Sequence, residues 1–255
     1  MSTFSRRGFL KTAALLAAAT AVPSVMARGR GKDARALKLK DRKIPVIDTY
    51  DVIVAGGGPA GCAAAAAAAA EGSRVLLIEA SGALGGLGTS GMVPAWCPFT
   101  DGEKIIYRGL AEKVFRQAKK GVPHEPDDKY DWVTINPEYL IGVYDRLVTG
   151  AGADILFFAR VAAVEMASDD TVDAIIVADK SGLTAYRPRV IVDATGDGDI
   201  CAWAGARYLK GDADGVLQKS TLCFSVANVN TQAYLTGPEL HTDHNPDSAS
   251  AQAAR

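Results

Sequence analysis

The stretch Tyr50–Glu79 constrains the fold more than any other part of this chain. Tyr50-Asp51-Val52-Ile53-Val54-Ala55 is largely apolar and β-branched, so it reads as a buried strand. Gly56-Gly57-Gly58-Pro59-Ala60-Gly61 follows at once in the pattern G-x-G-x-x-G. Cys62 and the eight alanines Ala63–Ala70 predict a helix, because alanine has the best helix propensity and a methyl-only surface lets a helix sit close to a sheet. Gly72 ends that helix. Arg74-Val75-Leu76-Leu77-Ile78 reads as a second buried strand, and Glu79 stands at its C-terminal end, 23 residues after Gly56. Strand, tight turn, helix and strand make a βαβ unit. The predicted fold class is α/β, a Rossmann-like domain with a parallel sheet.

Each part of this unit has a physical task in holding a dinucleotide. Gly56 permits the tight turn out of the strand. Gly58 lets a pyrophosphate approach the backbone, and Gly61 lets the helix pack closely on the strand. The start of the helix offers N–H groups and a partial positive charge to phosphates. Glu79 accepts hydrogen bonds from both hydroxyls of an adenosine ribose and repels a 2′-phosphate, which disfavours NADP.

The chain downstream of Glu79 separates FAD from NAD. Gly85-Gly86-Leu87-Gly88-Thr89-Ser90-Gly91 is a glycine-dense loop that can lie under a long cofactor. Asn136-Pro137-Glu138 starts a helix, with Asn as cap and Pro at its first position, running to about Thr149. Asp154–Phe158 reads as a strand. Three short β runs come next, Val161–Met166, Val172–Ala178 and Leu183–Arg187, joined by the polar turns 168–170 and 179–182. They predict an inserted β-meander where a plain Rossmann repeat would have a helix. Arg189–Ala194 is a further buried strand ending in Thr195-Gly196-Asp197-Gly198-Asp199. Asp197 or Asp199 is expected to cap a helix through Ala202-Trp203-Ala204.

Taken together, these segments resemble the FAD-dependent oxidoreductases with a glutathione-reductase-like FAD domain, and more narrowly the exported bacterial relatives of succinate and fumarate flavoproteins. The residues that carry the resemblance are Asp51–Gly61, Glu79, Gly85–Gly91 and Val192–Asp199, and it covers about residues 49–230. It implies FAD as cofactor and hydride transfer between a small organic substrate and the flavin. It also implies site roles. Gly56, Gly58, Pro59 and Ala60 lie on the pyrophosphate, with Gly61 beside them. Glu79 binds the AMP ribose. Gly86, Gly88 and Thr89 run along the cofactor toward the flavin. Val161 offers backbone groups to adenine, and Gly196 closes over the nucleotide. Two other readings stand beside this one: an FAD-binding remnant without turnover, and an NAD-dependent dehydrogenase, against which the meander counts. No catalytic residue is identified. Trp96, Cys97 and Pro98 follow the glycine loop and are candidates for contact with the ring, with ordinary packing as the alternative. His124 reads as a surface residue.

Net charge adds to this picture because it is unevenly spread. The whole chain has a formal charge of −1, yet residues 28–43 carry eight basic and two acidic residues and residues 1–27 three basic ones. That leaves 17 basic and 27 acidic residues in 44–255, a net of −10. Such an acidic body argues against a nucleic-acid surface. Four cysteines at wide spacing and three histidines exclude a dense disulfide framework and argue against a metal cluster.

Both ends of the chain carry expectations of their own. Ser5-Arg6-Arg7-Gly8-Phe9-Leu10-Lys11, the weakly apolar run Thr12–Val22 and Val25-Met26-Ala27 resemble a twin-arginine export signal with its cleavage site. As a helix that apolar run rises about 16 Å, too short for a membrane anchor. The expected location is therefore periplasmic or extracellular, by way of the twin-arginine export machinery, with no stable membrane span. Residues 28–48 read as a basic linker and 49–210 as the FAD-binding domain. Residues 211–230 read as the start of a substrate domain, with a strand in 218–230, and 231–255 as a disordered polar tail holding His241 and His244. The family generally runs well past this length, so the chain reads as truncated, with a small-molecule substrate and a partner chain supplying the missing half as its expected partners.

Overall fold

In the computed structural model the described residues are 43–97, 100, 101, 104–218, 220, 221, 223, 227, 228 and 230. The expected export signal, most of the basic linker, Pro98, the polar tail and its two histidines lie outside them, as do six residues of the strand expected in 218–230, whose described residues are in no strand.

The centre of the molecule is a four-stranded, all-parallel sheet. Its strands are β2 (Val52–Ala55), β3 (Val75–Ile78), β4 (Asp154–Leu156) and β8 (Val190–Asp193), in the spatial order β4-β3-β2-β8. Every residue of β2 and β3 is buried, as a sheet covered on both faces requires. Strand side chains alternate between faces, and the two faces meet different layers. Val52, Val54, Val75 and Leu77 point into a cluster with Cys62, Ala65, Leu140, Tyr144 and Val148 from the helices. Ile53, Ala55, Leu76 and Ile78 point into a second cluster with Val161, Ile175, Val177 and Tyr186. Burying each of the larger aliphatic side chains contributes roughly 1.5–3 kcal/mol.

The helical layer holds α1 (Pro59–Ala70), α2 (Leu110–Lys119) and α3 (Pro137–Gly150). α1 ends as the sequence predicts, with Gly72 at a φ of +86°. The expected cap of α3 is present: Tyr139 N–H donates to Asn136 Oδ1 at 3.1 Å, and Pro137 opens the helix. α2 is absent from the sequence reading, although Val114, Phe115 and Ala118 recur at helical spacing and are its buried face.

The opposite layer is the meander: β5 (Arg160–Ser168), β6 (Thr171–Asp179) and β7 (Gly182–Tyr186), paired antiparallel in sequence. A short strand, β1 (Val46–Ile47), joins it in parallel with β7. The final residues of the expected linker are therefore part of a sheet, a pairing made across more than 130 residues of chain that local patterning does not reveal. The last helix, α4 (Asp199–Trp203), departs from expectation at its cap. Gly198 is the N-cap, and neither Asp197 nor Asp199 caps the helix with its side chain. Thr195 Oγ1 accepts from Asp199 N–H at 2.8 Å and Asp193 Oδ2 from Cys201 N–H at 2.9 Å, so residues upstream of the expected pair satisfy the helix start.

The loop after α2 is tied by two charges. Lys119 Nζ donates to the carbonyls of Pro126, Asp127 and Lys129, each at 2.8 Å. Glu125 accepts from Lys129 Nζ at 2.7 Å and from the Thr134 hydroxyl at 2.6 Å, and these bonds pull its carboxyl down to about 2. A carboxylate with a lowered pKa in the folded chain adds stability above its ordinary pKa and loses it as pH falls toward the lowered value. Denaturant unfolding should therefore weaken between pH 5 and pH 2, and Glu125→Gln should flatten that acid limb; an unchanged limb in the variant would contradict the assignment.

Candidate functional site

Three of the four glycines at the junction of β2 and α1 differ in why they are glycine. Gly56 has a φ of +99°, and a Cβ there would run into the Ala194 carbonyl that follows β8. Gly61 has its missing Cβ against the Gly56 carbonyl oxygen. Fold geometry alone requires both of these. Gly58 is different. Its backbone is extended, at φ −69° and ψ −178°, which any residue adopts, and a Cβ there would meet nothing within 4 Å. Neither strain nor packing accounts for glycine at 58, and the empty space in front of it is a cradle that a side chain would fill. It caps α1, where no side chain hydrogen-bonds to the helix start and no acidic residue stands in the first turn. The helix dipole there is left to an outside anion.

Gly57 holds the turn in place. Its N–H donates to Glu79 Oε2 at 2.7 Å, and its carbonyl accepts from Gly85 N–H at 2.8 Å and from the Cys62 thiol at 3.2 Å. Burial pushes that thiol up to about 12, so it stays a neutral donor. Gly57, Cys62 and Gly85 are absent from the sequence-predicted site, since nothing in the spacing of the motif separates them from filler.

Glu79 is half-buried at the end of β3, and its other oxygen accepts from Ser81 N–H at 2.7 Å. A carboxylate oxygen has two lone-pair positions. Each oxygen thus spends one on the backbone and keeps one, enough for two ribose hydroxyls.

Beside Glu79 lies a cavity of about 270 Å³. Gly56, Val161 and Gly196 line it together with Arg160, Thr195 and Asp199. Four of the sequence-predicted residues thus surround one space: Gly56, Glu79, Val161 and Gly196. Gly196 repeats the logic of Gly58, because a Cβ there also meets nothing within 4 Å. Asp193 supports this wall. Burial opposes its ionisation, yet the Cys201 N–H and the Thr195 hydroxyl hold its carboxyl below the usual range.

On the other side of Gly58, the glycine loop lies against the turn. A Cβ on Gly86 would be 3.2 Å from Gly58 Cα. Pro59 and Gly88 line a second cavity of about 400 Å³ with Trp96 and Cys97. Thr89 belongs to the same loop. Its side chain is buried and its hydroxyl donates to the Leu84 carbonyl at 2.7 Å, so it braces the loop from inside. Gly61 likewise acts through packing, and Ala60 is exposed at the helix start. His124 is exposed on its loop. Among the described residues no group of three or more His, Cys, Asp or Glu is placed to hold a metal, and no helix is long and apolar enough to cross a membrane.

Comparison with known proteins places this geometry. Residues 51–254 match the model of a family described as FAD dependent oxidoreductase. A curated relative, glutathione reductase of Schizosaccharomyces pombe, is 30% identical over 187 residues, covering 68% of this chain and 37% of its own length. Two solved structures share 20% identity. One is a geranylgeranyl bacteriochlorophyll reductase-like protein of Thermoplasma acidophilum, with a TM-score of 0.43 over 65% of this chain and 43% of its own. The other is the myxobacterial chondrochloren halogenase CndH, with a TM-score of 0.42 over 60% and 38%. The chain thus spans about two fifths of the length of these proteins.

The two kinds of glycine differ in a way that melting curves read directly. Gly61→Ala should cost about 1–3 kcal/mol through overpacking, a fall of roughly 3–10 °C. Gly58→Ala should cost less, about 0.5–1 kcal/mol for the poorer N-cap and a fall of roughly 2–4 °C when no ligand is present, since its Cβ meets nothing within 4 Å. A large fall for Gly58→Ala would show that the fold itself needs that glycine.

Proposed function

Because the chain belongs to the FAD dependent oxidoreductase family and its cofactor is FAD, we propose that residues 51–203 hold the adenosine and diphosphate of that cofactor for hydride exchange with a small organic substrate. When bound, FAD supplies the electron-accepting ring; the chain supplies position and charge. The observation that supports this reading is Gly58, a glycine the fold does not require at the mouth of an uncapped helix.

Each residue then has a defined part. Gly58 admits a diphosphate to backbone distance, and the start of α1 lends it N–H groups and a partial positive charge. The Gly57 clamp keeps that turn from relaxing when the ligand leaves. Glu79 takes the ribose hydroxyls with its two remaining lone pairs and disfavours a phosphorylated ribose. Val161 and Gly196 close the adenine end. Gly86 and Gly88 continue the path on the far side of Gly58.

The address in the cell belongs to the same proposal. Arg6-Arg7 and the apolar run behind them support export through the twin-arginine machinery, a route for proteins that fold around a cofactor before crossing.

A titration of the cofactor-free chain with FAD tests the reading. Gly58→Val should weaken FAD binding by about a hundredfold or more, in line with a bulky group standing where the diphosphate must sit. Retained affinity in a folded Gly58→Val chain would remove the diphosphate from this turn.

A further inference from the structure

The alanine run lets α1 sit low on the sheet, and it also leaves space between α1 and the other two helices of its layer. Ala66 and Ala70, one turn apart, form the floor of a cavity of about 440 Å³ walled by α2 and α3. That volume lies within the roughly 300–1,000 Å³ of small-molecule sites. The cavity shares no lining residue with the two beside Gly58. Along α1, Ala66 is roughly 10 Å from the Pro59 end that faces the glycine turn, at the ordinary helical rise.

Its walls are two helix faces. α2 contributes Lys113, and α3 contributes Val143, Arg146 and Leu147, which share one face at i, i+3 and i+4. The end of α2 is tied to the start of α3, where Asn136 Nδ2 donates to the Gly121 carbonyl at 3.1 Å. Methyl groups at 66 and 70 are too short to fill the gap that remains between the two helices.

The charge on these walls is of one sign. Lys113 and Arg146 are cations, and no carboxylate side chain lines the cavity, although the body of the chain is acidic. Among the described residues neither cation makes a side-chain hydrogen bond or an ion pair. Glu112, next to Lys113, is taken by Arg108 at 3.2 Å and Arg116 at 2.8 Å. Arg146 lies back along α3: its Nη1 is 3.1 Å from where a Cβ on Gly142 would stand. Glycine weakens a helix interior, and here it gives the guanidinium room to rest against the helix.

We propose that this groove binds an amphipathic monoanion, a carboxylate on a medium-length alkyl chain. The alkyl chain covers Ala66, Ala70, Val143 and Leu147, and the carboxylate meets Lys113 and Arg146. The guanidinium fork matches the two carboxylate oxygens, and the ammonium adds a point charge. A neutral apolar molecule would leave both cations without a partner. A polyanion would bring charge onto an apolar floor and lose its water there. The site is independent of the FAD reading, because none of its walls belongs to the nucleotide cavities.

Octanoate and octanamide, alike in chain and different in charge, are the probes, measured by equilibrium dialysis against the full chain at low ionic strength. Octanoate should bind with a Kd of roughly 0.1–1 mM, as expected for about ten heavy atoms, and octanamide about threefold to tenfold more weakly. Replacing both cations, Lys113→Gln with Arg146→Gln, should remove that difference and leave octanamide unchanged. Ala70 is exposed at the end of α1. Ala70→Trp should fill the groove and weaken both probes about tenfold or more in a chain with unaltered circular dichroism. Saturating FAD should change neither affinity. These results together support the proposal. Equal binding of the two probes would overturn the charge of the ligand. Undiminished binding in Ala70→Trp, or competition with FAD, would overturn the location. Absence of octanoate binding at millimolar concentration would overturn the site, and a dimer that Ala70→Trp breaks would then give the groove to a second copy. Failure of the unaltered chain to bind FAD would remove the FAD reading and leave this site standing.

Discussion

The arrangement depends on how closely the exit of β2 approaches its neighbours. Gly56 packs on the carbonyl that follows β8, and Gly61 packs on the carbonyl of Gly56. A side chain at either position would push α1 away from the sheet. With the helix seated this low, its N-terminus points over the C-terminal edge of the parallel strands, where open α/β sheets bind ligands. The Gly57 peptide is then tied on both its donor and its acceptor side, so the turn is held before any ligand arrives. A preformed site spends less binding energy on ordering itself.

The same constraint divides labour within one short motif. Glycines that the fold requires by strain or packing and a glycine that it does not look alike in sequence. Structure separates them by φ and by what a Cβ would touch. Glu79 shows a similar doubling: it is tied to the turn through Gly57 and to its own loop through Ser81, yet keeps acceptor positions for a sugar. Removing its charge would disturb the turn as well as the ribose contact proposed for it. Glu79 and the glycine loop are therefore mechanically joined through a single clamped peptide.

The sequence made the βαβ unit, the capped helix at Asn136 and the meander legible because each is local. Apolar runs, turn residues and caps lie within a few positions of one another. Apart from α2, whose helical spacing is local, what escaped it is non-local. Val46–Ile47 is two residues long and becomes a strand only because β7 stands beside it. Gly57, Cys62 and Gly85 meet only after α1 and β3 are in place. The Asp197 and Asp199 expectation failed for a related reason. Asp193 and Thr195, two to six residues earlier, reach the same helix start from the end of β8. The burial of Thr89 is likewise non-local, since its hydroxyl bonds back to the Leu84 carbonyl inside the fold.

Competition between fragments of the cofactor tests the central claim most directly. If the grip lies on the adenosine diphosphate end, ADP should displace FAD from the chain at concentrations near its own Kd, while riboflavin, which lacks both phosphates and adenosine, should leave FAD bound. Displacement by riboflavin with no effect of ADP would contradict the account.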